Sequence, residues 1–263
     1  MKDLTGKELI DHLVKYKADI IDLKKSASKF ADVVTASGES IEPTSKAKVL
    51  YENNEEKGVL KRTIIANTYN WLDSHGDVHL NGLFAKSINE RGKRIPHLHD
   101  HKFELGAKVG RILSLAEVPM KWRQLGFAKN GDTMALMMES QIEKDLNEKV
   151  YKEYLADQVD QHSVSMQYVK IDLAVNDEDY GTEYKLWNEV FPNIGNKADA
   201  EAQGYFWAVS EAKLIEVSAV LLGSNILTPT LSDKFQPRST GKQEPVKTTP
   251  KFDVNELLTH YKI

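Results

Sequence analysis

The sequence predicts an α+β fold with a mostly antiparallel β core, closed or nearly closed into a barrel and flanked by a few helices. Three observations carry that prediction. Short stretches alternate apolar and polar residues with period two; two or three stretches carry apolar residues at helical spacing; and no regular strand-helix-strand alternation of the parallel type is present. The clearest period-two stretch is 161–169, where Val164, Met166 and Tyr168 fall on one face and Ser163, Ser165 and Gln167 on the other. A second lies late in the chain, with Ile215, Val217, Ala219 and Leu221 on one face and Glu216 and Ser218 opposite.

Taken in order, residues 3–25 place Leu9, Ile10, Leu13, Val14, Ile20, Ile21 and Leu23 among lysines and aspartates, a helical stripe that needs a surface to pack on. Its own domain suits that stripe better than a separate partner. Residues 26–48 turn to Ser, Ala, Thr, Gly and Glu and read as a linker, so 1–48 forms an N-terminal helix and linker arm. The folded core is expected over 59–230. It opens with a strand near Val59, followed by a turn-forming cluster from Trp71 to His79 and a short helix from Leu83 that Gly92 stops. Strands follow at 95–103 and 109–117 around Gly106 and Gly110, and again at 133–142. A helix at 143–158 leads into the serine strand. Residues 172–204 read as a polar, irregular insertion, and 207–222 as the last long strand. Four of the eight prolines lie in 229–251, within a basic tail (231–263) expected to be flexible and to end in a short docking helix carrying Val254, Leu257, Leu258 and Tyr261.

Composition narrows the chemistry. At 263 residues, 41% hydrophobic and 28% charged, the chain can bury one sizeable core. A formal charge of -4 and a pI near 6.1 argue against a dedicated nucleic-acid binder. Without cysteine there is no disulfide, thiol nucleophile or cysteine zinc site. A charged N-terminus and the lack of a long apolar run point to a cytoplasmic protein with no membrane contact and no secretory signal.

Two clusters offer chemistry. If the chain is extended from Ile95, then His97, His99 and His101 share one face, where three imidazoles could bind zinc, supply a base or form a polar patch. No helical His-Glu-x-x-His motif accompanies them. The second cluster is the serine strand. A serine becomes a nucleophile when a base takes its proton and a third group orients that base. Ser165, His101 and Glu216 are residues of the right types on three strand-like segments, but spacing alone leaves Ser163, His99, Glu211 and His162 as competitors. The Gly-x-Ser-x-Gly elbow, the P-loop and the dinucleotide-binding glycine pattern are all absent. Asp73 and Asp77 read as turn-formers.

Four segments in order nevertheless resemble a known family. They are Asp73-Ser74-His75-Gly76-Asp77-Val78 with Gly82-Leu83-Phe84; His97-Leu98-His99-Asp100-His101 with Val109-Gly110-Arg111-Ile112; Val164-Ser165-Met166-Gln167-Tyr168; and Leu214-Ile215-Glu216-Val217-Ser218-Ala219-Val220. Their order and spacing resemble the tailed-phage prohead (capsid maturation) serine proteases, whose fold is similar to the herpesvirus assemblin β-barrel. The resemblance implies catalytic Ser165, His101 and Glu216 and no cofactor. The expected substrate is the phage major capsid protein or scaffold and the chain itself; because proteases cut exposed flexible segments, self-cleavage is expected within 26–48 or 229–251. The setting it implies is the assembling procapsid in the host cytoplasm, with a homo-oligomer possible. Departures from the pattern are Lys102 after the histidine, which keeps His99 in competition, Gln167 in the serine strand, and the long 172–204 insertion. Two other classes stay open: a non-catalytic capsid scaffold or assembly protein, and a metal-dependent hydrolase built on the three histidines.

Overall fold

The computed structural model describes residues 4–27 and 57–231. Two helices, α1 (Gly6–Lys15) and α2 (Lys17–Ser26), precede eight strands: β1 (Val59–Thr68), β2 (Asp77–His79), β3 (His97–His99), β4 (Lys108–Lys121), β5 (Asp132–Glu143), β6 (His162–Val175), β7 (Tyr205–Ala219) and β8 (Thr230–Leu231). Between them lie α3 (Ala85–Arg91), α4 (Glu148–Leu155), α5 (Gly181–Val190) and α6 (Lys197–Gln203). The fold is α+β, as the periodicities predict.

The sheet is mixed. Its order is β2-β7-β3-β4-β5-β1-β8, and β6 pairs with the other edge of β7. Five pairings are antiparallel, whereas β2 and β3 both run parallel to β7. The sheet is not closed: among the described residues no ladder joins β6 to β1, so the expected barrel is not shown and the core is an open mixed sheet. Strand β7 is the organising element, since β6 lies along one edge while β2 and β3 occupy successive parts of the other.

The alternations place the core. Val164, Met166 and Tyr168 of β6 meet Leu214 and Val217 of β7 in the main cluster, together with Tyr69, Phe84, Leu136, Met138 and Trp207. Each large side chain so buried contributes roughly 2 kcal/mol. Leu13 is buried in the same cluster, and Leu9, Ile10, Val14, Ile20 and Ile21 pack against it. The helical stripe of 3–25 is thus two helices, broken at Tyr16 (φ -104°, ψ 18°), and both lie on their own β core. Charges tie them down: Lys24 Nζ donates to Asp77 Oδ1 at 2.6 Å with both side chains buried, and Lys17 pairs with Glu183.

Several boundaries moved for physical reasons. The expected strand at 95–103 is only His97–His99, because the chain turns at Asp100 and His101. Gly92 does not stop α3 with a left-handed cap; its φ is -46°, and the chain tightens into a 3₁₀ turn. Helix α4 is shorter than 143–158 because Asn147 caps it, its side chain accepting from Val150 N at 3.1 Å. The span 172–204 is not irregular: it completes β6 and forms α5 and α6. There Trp187, Val190, Ile194 and Ala200 pack on Leu72, Val78 and Phe206. One apolar face per short helix is enough to order a segment whose composition is polar. The linker expected over 26–48 falls, from Ser28 onward, outside the described residues, as do the basic tail beyond Leu231 and its helix.

Candidate active site

Ladder register sets the first two groups. Ser165 of β6 faces Glu216 of β7, and Ser163 faces Ser218 two residues away. Both members of the first pair have 0% exposure. Strand β3 adds the third group by running parallel to β7, with His99 opposite Ala219. The chain then reverses in a tight turn in which Lys102 N donates to His99 O at 3.2 Å, with Asp100 (φ 51°) and His101 (φ 53°) both left-handed. Asp and His tolerate that region better than most residues, yet each still stores about 1–3 kcal/mol of strain there, a cost concentrated at functional sites. The turn is fastened by Asp100 N donating to Ala219 O (2.9 Å) and His101 N donating to Ser218 Oγ (3.1 Å).

The three side chains meet. Ser165 Oγ lies 3.0 Å from His101 Nδ1 and donates to Glu216 Oε1 at 2.5 Å, while His101 Nδ1 is 2.5 Å from the same Oε1. Glu216 also accepts from Ser165 N (3.0 Å) through Oε1 and from Ser218 Oγ (2.6 Å) through Oε2. A buried carboxylate without such donors would be strongly destabilising; here both oxygens are used. The arrangement differs from a linear serine-imidazole-carboxylate relay, in which serine and acid use opposite ring nitrogens. Here one nitrogen, Nδ1, serves both. At 2.5 Å from a carboxylate oxygen, Nδ1 carries a hydrogen and donates it to Glu216, so the acceptor that the Ser165 hydroxyl meets is the carboxylate, and the imidazole orients that carboxylate.

The competitors lie elsewhere. Glu211 pairs with Lys170 at 2.7 Å at the surface. His99 pairs with Asp100 at 3.2 Å, and Lys102 reaches the same carboxylate at 3.3 Å. His162 is buried away from the cluster, its Nδ1 donating to Thr228 O at 2.9 Å. Ser163, 7% exposed, lies in a cleft beside β6. Asp73 is a turn-former, its Oδ1 accepting from His75 N (2.8 Å) and Asp77 N (3.0 Å); Asp77 instead is the buried partner of Lys24 and of Tyr168 Oη (2.6 Å). Burial first, then the Asp77 charge, pushes the Tyr168 hydroxyl well above its ordinary range. Ser218 was missed as a site residue, although its period-two relation to Glu216 put it on the same face.

The histidine triplet does not converge. The shared-face expectation required extension through His101, and the turn after His99 removes it. His97 is fully buried in a separate relay: its Nδ1 faces Ser140 Oγ (2.8 Å), its Nε2 faces Tyr154 Oη (3.3 Å), and Tyr154 Oη faces His162 Nε2 (2.8 Å). The single hydroxyl hydrogens order this chain. His162 Nδ1 donates to Thr228 O, so its Nε2 accepts from Tyr154; the Tyr154 oxygen then accepts from His97 Nε2, and His97 Nδ1 is left as an acceptor for Ser140 Oγ, whose one hydrogen it shares with Arg111 O at 3.3 Å. Burial disfavours the charged form of both imidazoles, pushing His97 to about 3, with the neighbouring His162 imidazole as the second cause, and His162 to about 4. Among the described residues, no group of three or more His, Asp or Glu is placed to hold a metal ion.

Comparison with known proteins adds nothing to this geometry, since no family model matches the chain and no curated protein or solved structure matches it.

Proposed function

We propose that the protein is a serine endopeptidase of the prohead-maturation type, acting on the phage capsid protein or scaffold and on its own chain. One observation carries the reading: Ser165, His101 and Glu216, from two strands and a turn far apart in sequence, lie within 2.5–3.0 Å of one another in a buried site. The strained His101 turn, locked to β7 at two points, supports it.

In the mechanism, Ser165 Oγ attacks the scissile carbonyl carbon as its proton passes to Glu216 Oε1, the acceptor it already meets at 2.5 Å, while the His101 Nδ1–H holds that carboxylate in place. Glu216 returns the proton to the departing amine as the peptide C–N bond breaks, leaving an acyl ester on Ser165. Water then attacks that ester, giving its proton to Glu216, which passes it back to Ser165. The Ser165 N–H is committed to Glu216, so the oxyanion is stabilised by other donors.

The shared Nδ1 also suits a second reading, a hydrogen-bonded structural cluster in a non-catalytic assembly protein. Labelling with an activated fluorophosphonate, followed by peptide mapping, separates the two. Modification of Ser165, together with loss of capsid-protein or scaffold cleavage in Ser165→Ala, supports the protease. Undiminished cleavage by the alanine variant rejects it.

A further inference from the structure

The Ser218 hydroxyl lies between Glu216 and the backbone of the His101 turn. Ser218 is fully buried within β7, flanked by Ser163 of β6 on one side and Leu98 of β3 on the other. Alternation along the strand puts it on the face that carries Glu216. Its hydroxyl has one hydrogen to give and two lone pairs to accept with. The His101 N–H, a donor only, lies 3.1 Å from Ser218 Oγ, so the hydroxyl hydrogen goes to Glu216 Oε2 at 2.6 Å.

The two oxygens of Glu216 are therefore not equivalent. Oε1 faces Ser165 N, Ser165 Oγ and His101 Nδ1, whereas among the described residues Oε2 accepts from Ser218 alone. When Ser165 gives up its proton, Oε1 becomes the hydroxyl oxygen of a neutral acid and Oε2 its carbonyl oxygen, which still accepts. The Ser218 hydrogen bond is thus made both before and after the transfer. Half a rotation of the acid would carry the proton round to Ser218, whose oxygen would then accept twice while its own hydrogen lay buried without a partner, an unfavourable state. The same hydroxyl holds the His101 amide, and with it the left-handed turn (φ 53°) that aims the imidazole at Oε1.

Resting on the endopeptidase reading, we propose that Ser218 is a positioning residue of the reaction: it keeps the proton-bearing oxygen of Glu216 turned towards Ser165 and the departing amine, and it ties that orientation to the His101 turn. It acts through Glu216 and His101 rather than on the substrate, so its loss shows in the rate of the chemical step and not in binding.

Ser218→Thr and Ser218→Val in the full-length chain test this. The two side chains have nearly the same shape and add the same methyl group to a closed site; they differ in the hydroxyl. The probe is an alkyl fluorophosphonate: Ser165 Oγ forms the P–O bond, fluoride leaves with the electron pair of the P–F bond, and Glu216 takes the serine proton. Mass spectrometry of Ser165 over a range of probe concentrations gives the maximal labelling rate and the half-saturating concentration separately. Ser218→Val should reach a maximal rate roughly tenfold or more below that of Ser218→Thr, a part of the 10²–10⁴ that a positioned acid–base group supplies, with half-saturating concentrations within about twofold. Ser218→Ala, which removes the hydroxyl without adding atoms, should be slowed in the same way relative to wild type. Equal maximal rates within either pair overturn the proposal, as does a difference confined to the half-saturating concentration.

A second measurement needs no catalysis. Hydrogen exchange of the His101 backbone amide, followed by NMR, should be faster in Ser218→Val than in Ser218→Thr, and equal exchange overturns the tie to the turn. If wild type is not labelled at all, the endopeptidase reading falls, and the exchange comparison alone decides whether Ser218 sets the turn.

Discussion

Acidification should unfold this protein through one relay. His97, Tyr154 and His162 form a hydrogen-bonded chain in which both imidazoles are neutral, and burial holds them at about 3 and about 4. An unfolded histidine titrates near 6.5, so between that value and the folded ones the unfolded chain binds more protons, and stability falls as pH falls. The loss begins near pH 6.5 and is complete below about pH 3. At pH 5 each unfolded histidine lies about 1.5 units below its midpoint while each folded one is still neutral, a cost of about 2 kcal/mol per residue and about 4 for the pair. Carboxylates held below their ordinary range, such as Asp73 and Glu143, lose their contribution only as pH falls through the ordinary carboxylate range near 4 and lower, so they add little to the difference at pH 5. Urea denaturation followed by the fluorescence of the four tryptophans, at pH 7.5 and pH 5, measures the difference. A change under about 1 kcal/mol, or imidazole NMR signals of His97 and His162 titrating near 6.5, would refute the relay.

Three substitutions probe the rest of the framework. Glu216→Gln keeps the volume but sets an amide where three donors converge on Oε1, so kcat for capsid-protein or scaffold cleavage should fall by roughly 10²–10⁴ with the fold retained; unchanged turnover would remove Glu216 from the site. Lys24→Met leaves Asp77 charged and fully buried and should cost about 3–5 kcal/mol in thermal or urea unfolding, most of it restored by adding Asp77→Asn. An unaltered midpoint would mean that the ion pair is dispensable. Gly110→Ala puts a Cβ 2.2 Å from the Gln141 carbonyl oxygen across the β4–β5 ladder, so it should lower stability by about 1–3 kcal/mol or more and the melting temperature with it.

Period-two patterns were the most legible part of the chain. They located β6 and β7 and put Ser163 and Ser165 on one face, Glu216 and Ser218 on another, because strand geometry forces alternation wherever one face is buried. The helices of 172–204 were not legible, since α5 and α6 bury narrow faces of otherwise polar segments against β2 and β7. The histidine triplet misled for a related reason: alternation was assumed to continue through Asp100 and His101, whose left-handed conformations are fixed by hydrogen bonds to Ala219 and Ser218, more than a hundred residues away.

The sequence by itself determined the α+β class, the cysteine-free chemistry, and the strand that carries the serine, for these depend on composition and local periodicity. Which serine, histidine and acid meet was decided only in three dimensions. The antiparallel register of β6 on β7 sets Ser165 rather than Ser163 opposite Glu216, and the parallel pairing of β3 with β7 swings His101 onto both. Long-range pairing selects among residues that local pattern leaves equivalent, because hydrogen-bond register is a property of two strands and not of either alone.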